Sequence, residues 1–133
     1  MGVTGFNHVG ILVEDFDVVL GLAQRLGLKV DEPEPEPTLG IEILWVHCDG
    51  VRIEFIRPLG EDSRAAEAIR NGQGGVHHIA FTVEGMNPLL AGLADASIVA
   101  RDGDPMVGHH GATIAFLDTA ATAGVRVEFV EPS

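Results

Sequence analysis

Gly74-Gly75-Val76-His77-His78-Ile79-Ala80-Phe81-Thr82-Val83 repeats, residue type by residue type, the earlier run Thr4-Gly5-Phe6-Asn7-His8-Val9-Gly10-Ile11-Leu12-Val13. Both runs alternate as a strand does, with Val9, Ile11 and Val13 on one face of the first copy and Ile79, Phe81 and Val83 on the matching face of the second. The other face carries a histidine in each copy, His8 beside Gly10 and Leu12, His78 beside Ala80 and Thr82. A second pair of strands repeats as well: Val51-Arg52-Ile53-Glu54-Phe55-Ile56-Arg57-Pro58 and Val125-Arg126-Val127-Glu128-Phe129-Val130-Glu131-Pro132. The histidines stand 70 residues apart (78 − 8) and the glutamates 74 apart (128 − 54), so the chain reads as two copies of one module. Two histidines and two glutamates would converge if the copies face each other about a pseudo-twofold axis.

Between the repeated strands the chain supplies one amphipathic helix per copy. Glu14-Asp15 offers caps for a helix over 16–26, whose Phe16, Val19, Leu20, Ala23 and Leu26 follow helical spacing, with Gly27 as its stop. Lys29-Val30 begins a second strand, and Asp31-Glu32-Pro33-Glu34-Pro35-Glu36-Pro37 reads as an exposed polyproline-like loop, because alternating prolines remove ladder donors. A third strand spans 41–46, and Cys48-Asp49-Gly50 turns it back into the fourth, over 51–56. Glu61-Asp62-Ser63 caps a connecting helix through Ile69; Asn87-Pro88 serves as N-cap and first residue of the helix in the second copy. Short strands follow near 98–100, 113–117 and 125–130. The order is βαβββ twice, an α+β fold. The expectation is a single domain over 1–133, with module one at 1–60, the connecting helix at 61–73 and module two at 74–133.

Charge and cysteine usage narrow the function. Twenty acids against eight bases give a formal net charge of −12, which disfavours nucleic acid and anionic membrane surfaces as partners. No apolar run is long enough for a bilayer and no basic-then-apolar leader opens the chain, so the expectation is a soluble cytoplasmic protein. The lone Cys48 excludes an internal disulfide framework and argues against a thiolate metal site.

Two imidazoles and two carboxylates at duplicated strand positions, His8, Glu54, His78 and Glu128, suit a divalent ion held by N and O donors. The plainer alternative is that these polar strand residues are merely solvated; their recurrence in both copies favours the metal. His77 and His47 read as histidines satisfied by hydrogen bonds beneath a helix. His109 and His110, in Gly108-His109-His110-Gly111, form a substrate-contacting rim, a histidine switch or simply surface. Trp45 and Phe55 read as core. Glu42 alternates with apolar neighbours on the face of Leu44 and Val46, and the module offset of 70–74 places no acid opposite it, at 112–116. It is either an edge-strand glutamate in water or a desolvated carboxylate of raised pKa suited to acid/base work.

The duplicated plan with His8, Glu54, His78 and Glu128 resembles the vicinal oxygen chelate superfamily, which includes glyoxalase I, methylmalonyl-CoA epimerases, extradiol dioxygenases and resistance proteins. Gly75-Val76-His77-His78-Ile79-Ala80-Phe81, Gly40-Ile41-Glu42-Ile43, Val107-Gly108-His109-His110-Gly111 and Gly124-Val125-Arg126-Val127-Glu128 look most like the epimerases. The chain differs from them at Asp118-Thr119-Ala120 and at Gly21-Leu22. The resemblance implies a half-open mixed sheet or barrel around a metal site. His8, His78, Glu128 and Glu54 match ligands to a divalent ion (Co, Mn, Ni, Zn or Mg), and Glu42 and Glu128 match the two catalytic carboxylates. The implied reaction is a 1,1-proton transfer at the α-carbon of a 2-substituted malonyl thioester, an acyl-CoA, through a metal-stabilised enediolate. A lactoylglutathione lyase like glyoxalase I, and a ligand-binding or resistance protein of the same fold, are the alternatives. Edge strands left by the two modules imply a homodimer.

Overall fold

The computed structural model describes residues 2–133, which fall into two compact units, residues 8–77 and residues 2–7 together with 78–133. The elements follow in the order β1 (Gly2–Leu12), α1 (Asp17–Leu26), β2 (Lys29–Val30), β3 (Glu34–Glu36), β4 (Ile41–Cys48), β5 (Val51–Pro58), α2 (Arg64–Arg70), β6 (Gly75–Glu84), α3 (Met86–Asp95), β7 (Met106–Val107), β8 (Thr113–Phe116) and β9 (Val127–Glu131). Two βαβββ modules are present as expected, the first enlarged by β3. The compact units do not coincide with those modules, because the start of β1 packs with module two: Asn7 Nδ2 donates to Thr82 Oγ1 at 3.0 Å, and the Phe6 and Phe81 rings meet edge to face with centroids 6.0 Å apart.

In the unit spanning 8–77 the strand order is β2-β4-β5-β1, and β3 pairs with β4 on the same edge as β2. β4 and β5 form a hairpin closed by Asp49 and Gly50, both at positive φ (48° and 80°), the backbone that a two-residue turn demands and that Asp-Gly supplies at little cost. β5 then runs parallel to β1, with Gly10 opposite Glu54 and Leu12 opposite Ile56. α1 ends at Gly27, whose φ of 71° lets its N–H reach the carbonyls of Ala23 and Gln24. The helix lays Val19, Leu20 and Ala23 on Leu44, Val46, Ile53 and Phe55. Leu44 and Val46 are essentially inaccessible, and burial of such side chains contributes about 1.5–3 kcal/mol each. α1 thus covers one face of the β4–β5 hairpin. On the other side lie Ile41, Ile43, Trp45 and His47, paired across the hairpin with Pro58, Ile56, Glu54 and Arg52.

The acidic proline run is not wholly a loop. Glu34–Glu36 forms β3, antiparallel to β4, with Glu34 opposite Ile43, Pro35 opposite Glu42 and Glu36 opposite Ile41. An edge strand tolerates a proline whose nitrogen faces away from its neighbour, so the lost donor costs no ladder bond. Pro37–Leu39 then makes one tight 3-10 turn before Gly40.

In the unit containing 78–133 the order is β1-β6-β9-β8-β7, and α3 packs Leu89, Leu90 and Leu93 on Val83, Ala115, Leu117 and Phe129. α3 begins earlier than its Asn87-Pro88 signal suggests. Gly85 is the N-cap, and Glu131 of β9 accepts from the Gly85 N–H at 2.7 Å and the Met86 N–H at 3.4 Å, so a remote carboxylate does the capping. Pro88 falls in the first turn, where no N–H is needed. Around 98–100 only a single bridge, Ala100 to Leu117, stands in place of the expected strand. Among the described residues no helix is long and apolar enough to cross a membrane.

Candidate active site

Among the described residues, the buried polar or charged side chains are His8, Glu54, His78 and Glu128, at 4%, 9%, 4% and 6% exposure. Burying an imidazole beside a carboxylate is costly unless each has a partner or an ion to hold. In the unit spanning 8–77, His8 Nε2 and Glu54 Oε1 are 3.4 Å apart. In the other unit, His78 Nε2 and Glu128 Oε1 are also 3.4 Å apart.

Strand register explains why each pair forms. Glu54 lies opposite Gly10, two residues along β1 from His8, and Glu128 lies opposite Ala80, two residues along β6 from His78. The small residue between them leaves the carboxylate room to lean toward the imidazole on the same face. On the far side of each glutamate stands an aromatic ring, Trp45 opposite Glu54 and Phe116 opposite Glu128. Each ring meets the neighbouring histidine edge to face, His8 with Trp45 at 5.2 Å between centroids and His78 with Phe116 at 5.3 Å. An arginine caps each ring, Arg52 over Trp45 at 4.3 Å and Arg101 over Phe116 at 4.4 Å. Arg101 is itself anchored by Asp104, whose Oδ2 accepts from Arg101 Nε at 2.9 Å and from the Phe116 N–H at 2.6 Å. Trp45 is buried, as its apolar strand suggests, but its contact with His8 and the matching roles of Phe116 and the two arginines go beyond what strand periodicity alone shows. The signal was available, since Trp45 and Phe116 stand 71 residues apart (116 − 45), within the offset of the histidines and glutamates.

The donor chemistry fits a divalent cation. A separation of 3.4 Å exceeds an ordinary N–H···O bond of roughly 2.7–3.2 Å. It matches the spacing of two donors that each lie ~2.1 Å from a shared ion at a tetrahedral angle, about 3.4 Å. Imidazole and carboxylate, with no thiolate nearby, are the set that suits borderline and hard divalent ions.

Glu42 takes a different place from the one expected of a solitary base. It pairs across the hairpin with Arg57, whose Nε donates to Glu42 Oε1 at 2.7 Å, and the Arg57 guanidinium lies 5.5 Å from the Phe16 ring. Both residues share the face of Leu44 and Val46 that α1 covers, whereas Trp45, Glu54 and His8 occupy the opposite face. The carboxylate is neither lone nor on the histidine side. His47 also departs from expectation: it lies on the Trp45 face rather than beneath α1, and its Nε2 is 2.8 Å from Asp31 Oδ2. That contact, first through the hydrogen bond and then through charge, holds the Asp31 carboxyl below its ordinary range. The His109 and His110 rings meet edge-on with centroids 4.0 Å apart within a 3-10 turn where His110 has φ 58°, and His77 is half-buried on the face of β6 opposite His78.

Residues 7–116 match the family model of the glyoxalase/bleomycin resistance protein/dioxygenase superfamily. The ethylmalonyl-CoA/methylmalonyl-CoA epimerase of Cereibacter sphaeroides is 34% identical over 125 residues, covering 92% of this chain and 93% of its own. Mitochondrial methylmalonyl-CoA epimerase of Bos taurus is 32% identical over 124 residues, covering 92% of this chain and 71% of its own. Among solved structures, methylmalonyl-CoA epimerase of Mycobacterium tuberculosis superposes with a TM-score of 0.87 at 26% identity, over 98% of this chain and 89% of that one. A likeness of that extent carries the fold expected from the duplicated strands, and the chain belongs to the glyoxalase/bleomycin resistance protein/dioxygenase superfamily.

Proposed function

We propose that this protein is a metal-dependent epimerase that inverts the α-carbon of a 2-substituted malonyl thioester carried on CoA. The observation that carries the reading is the pair of buried histidine–glutamate contacts at identical 3.4 Å spacing, in a chain about one-third identical to relatives named as methylmalonyl-CoA epimerases. His8, Glu54, His78 and Glu128 would together hold one divalent ion, a reading supported by their duplication and by the donor set each pair offers. Bound there, such an ion supplies electrophilic stabilisation for the negative charge that develops on substrate oxygens as the α-proton leaves.

The chain's own residues do the rest. Burial of the four donors keeps water from competing for the developing charge. Trp45 and Phe116 fix the ring planes of His8 and His78, which keeps Nε2 turned toward the carboxylates. Glu128 takes up or returns the α-proton on one face of the substrate. A second carboxylate must act on the other face, because inversion requires removal from one side and delivery to the opposite side.

The lone, exposed Cys48 and the absence of a disulfide among the described residues support a cytoplasmic setting. Homodimer formation is supported by exposed apolar side chains on strands, Phe6 at 52%, Val76 at 72% and Val107 at 72%. The decisive experiment incubates metal-loaded protein with single enantiomers of methylmalonyl-CoA and follows stereochemical inversion. Inversion that stops on chelation and returns with added divalent ion supports the reading; an inert loaded protein refutes it.

A further inference from the structure

The arginines that lie over Trp45 and Phe116 reach their rings by different routes. Arg52 is a strand residue, placed opposite His47 by the β4–β5 ladder. Arg101 belongs to a loop. From Ala100 to Met106 the chain takes six steps (106 − 100) while β8 takes three between Ile114 and Leu117 (117 − 114), so three extra residues leave the ladder there. That loop holds both backbone polar groups of Phe116: the Arg101 N–H donates to its carbonyl at 2.8 Å, and Asp104 Oδ2 accepts from its N–H at 2.6 Å. The same Oδ2 accepts from Arg101 Nε at 2.9 Å, which keeps the guanidinium over the Phe116 ring, 4.4 Å from its centroid. Asp104 as a residue is half-buried, but its side chain is only 1% exposed. A carboxylate closed off from water while it serves two donors fixes both of them, since releasing either leaves a polar group short of a partner.

We propose that Asp104 is a positioning residue for the donor pair His78–Glu128. The inference rests on the metal-holding reading of that pair and names what keeps the pair in order, all within the unit containing 78–133. Its route to the donors is Phe116. That residue lies opposite Glu128 on β9, and its ring meets the His78 imidazole edge to face with centroids 5.3 Å apart. Just beyond it the Leu117 N–H donates to the Val127 carbonyl at 3.0 Å. Phe116 and Glu128 are therefore the closer, non-hydrogen-bonded kind of cross-strand pair, whose Cβ atoms stand ~4.5–5.5 Å apart. A ring in that place limits how far His78 Nε2 and Glu128 Oε1 can swing from their 3.4 Å spacing. Held at its N–H, at its carbonyl and on the face that Arg101 covers, the ring has one station. Once Asp104 no longer grips both donors, the Arg101 side chain, already 37% exposed, moves into water and the ring gains room to turn. Affinity for a divalent ion then falls, because binding must order ligands that the chain no longer orders beforehand.

The test uses the full chain and two readouts: Co(II) affinity by titration, and the NMR shifts of the His78 ring protons in metal-free protein, which the neighbouring Phe116 ring displaces. Asp104→Asn keeps an acceptor but loses the charge that holds Arg101. It is expected to bind Co(II) about 10-fold more weakly, the lower end of the ~10–100-fold that loss of a ligand's supporting residue costs, and to move the His78 shifts toward those of a solvated histidine. Phe116→Leu is expected to do the same. Adding Asp104→Asn to Phe116→Leu is expected to weaken Co(II) binding by less than about twofold more, because both act through one ring. Glu131→Gln, which loosens the α3 cap in the same unit, is expected to leave affinity and shifts at parental values, and so separates positioning from loss of stability. Arg101→Gln stands in if Asp104→Asn does not fold, with the same two changes expected. A folded Asp104→Asn or Arg101→Gln protein with parental affinity and parental His78 shifts overturns the assignment, as does a double variant whose losses multiply. Either result leaves the metal reading standing when the parent binds Co(II); a parent that binds none overturns that reading and the assignment with it.

Discussion

Replacing Glu42 by glutamine separates a structural carboxylate from a catalytic one. The Arg57 Nε to Glu42 Oε1 contact is 2.7 Å, and the two side chains are 33% and 19% exposed, so the pair is shielded from water on one side only. A fully exposed pair contributes about 0–1 kcal/mol and a hydrogen bond to a charged group about 1.5–3 kcal/mol; partial shielding places this one near ~1 kcal/mol. In a chain of 133 residues that is a fall in melting temperature of roughly 3–4 °C. A double-mutant cycle with Glu42→Gln and Arg57→Gln, read by urea unfolding, should return a coupling of that size. Turnover of methylmalonyl-CoA by Glu42→Gln should stay within about twofold of the parent, well short of the ~10²–10⁴ that loss of an acid/base group costs. A metal-replete Glu42→Gln protein with intact stability and a hundredfold loss of inversion would refute the face assignment on which this reasoning depends.

Glu131→Gln should weaken the cap that β9 lends to α3, with a loss of about 1 kcal/mol in unfolding free energy and early hydrogen exchange at Met86 and Asn87. The Asp31–His47 contact gives a pH signature. Because the folded carboxyl of Asp31 titrates below its unfolded value, its contribution is complete above about pH 4 and disappears as pH falls through the folded pKa. Asp31→Asn should therefore be less stable than the parent at pH 6, and the difference should shrink on acidification below about pH 4. Ala80→Leu places a large side chain directly opposite Glu128 at a position with no exposed surface, and should cost about 1–3 kcal/mol in stability while reducing metal retention.

Much of the fold was written in the period of the strands. His8 and His78 share a face with Gly10 and Ala80 because side-chain direction alternates every residue, and that pattern needs no tertiary information. Glu42 shows where the same logic stops. Both faces of β4 are apolar, Ile41, Ile43 and Trp45 on one and Leu44 and Val46 on the other, so alternation says which residues travel together but not which set α1 will cover. The register with β5 decides it, by putting Trp45 opposite Glu54 and Glu42 opposite Arg57. β3 was hidden for another reason. Alternating prolines are a strong local loop signal, overridden here by an edge position where only every second residue needs a donor. α3 starts before Asn87-Pro88, a good local cap, because the carboxylate that serves comes from Glu131, distant in sequence.

As proposed above, the two histidine–glutamate pairs would serve one ion. Equilibrium dialysis with Co(II) or Zn(II), followed by elemental analysis of the parent, His8→Ala and His78→Ala, tests it directly. One ion per chain in the parent, and near-complete loss in either single variant with the fold intact by circular dichroism, is the expected result. Two ions per chain in the parent, or a variant that keeps one pair's ion when the other pair is broken, would contradict it.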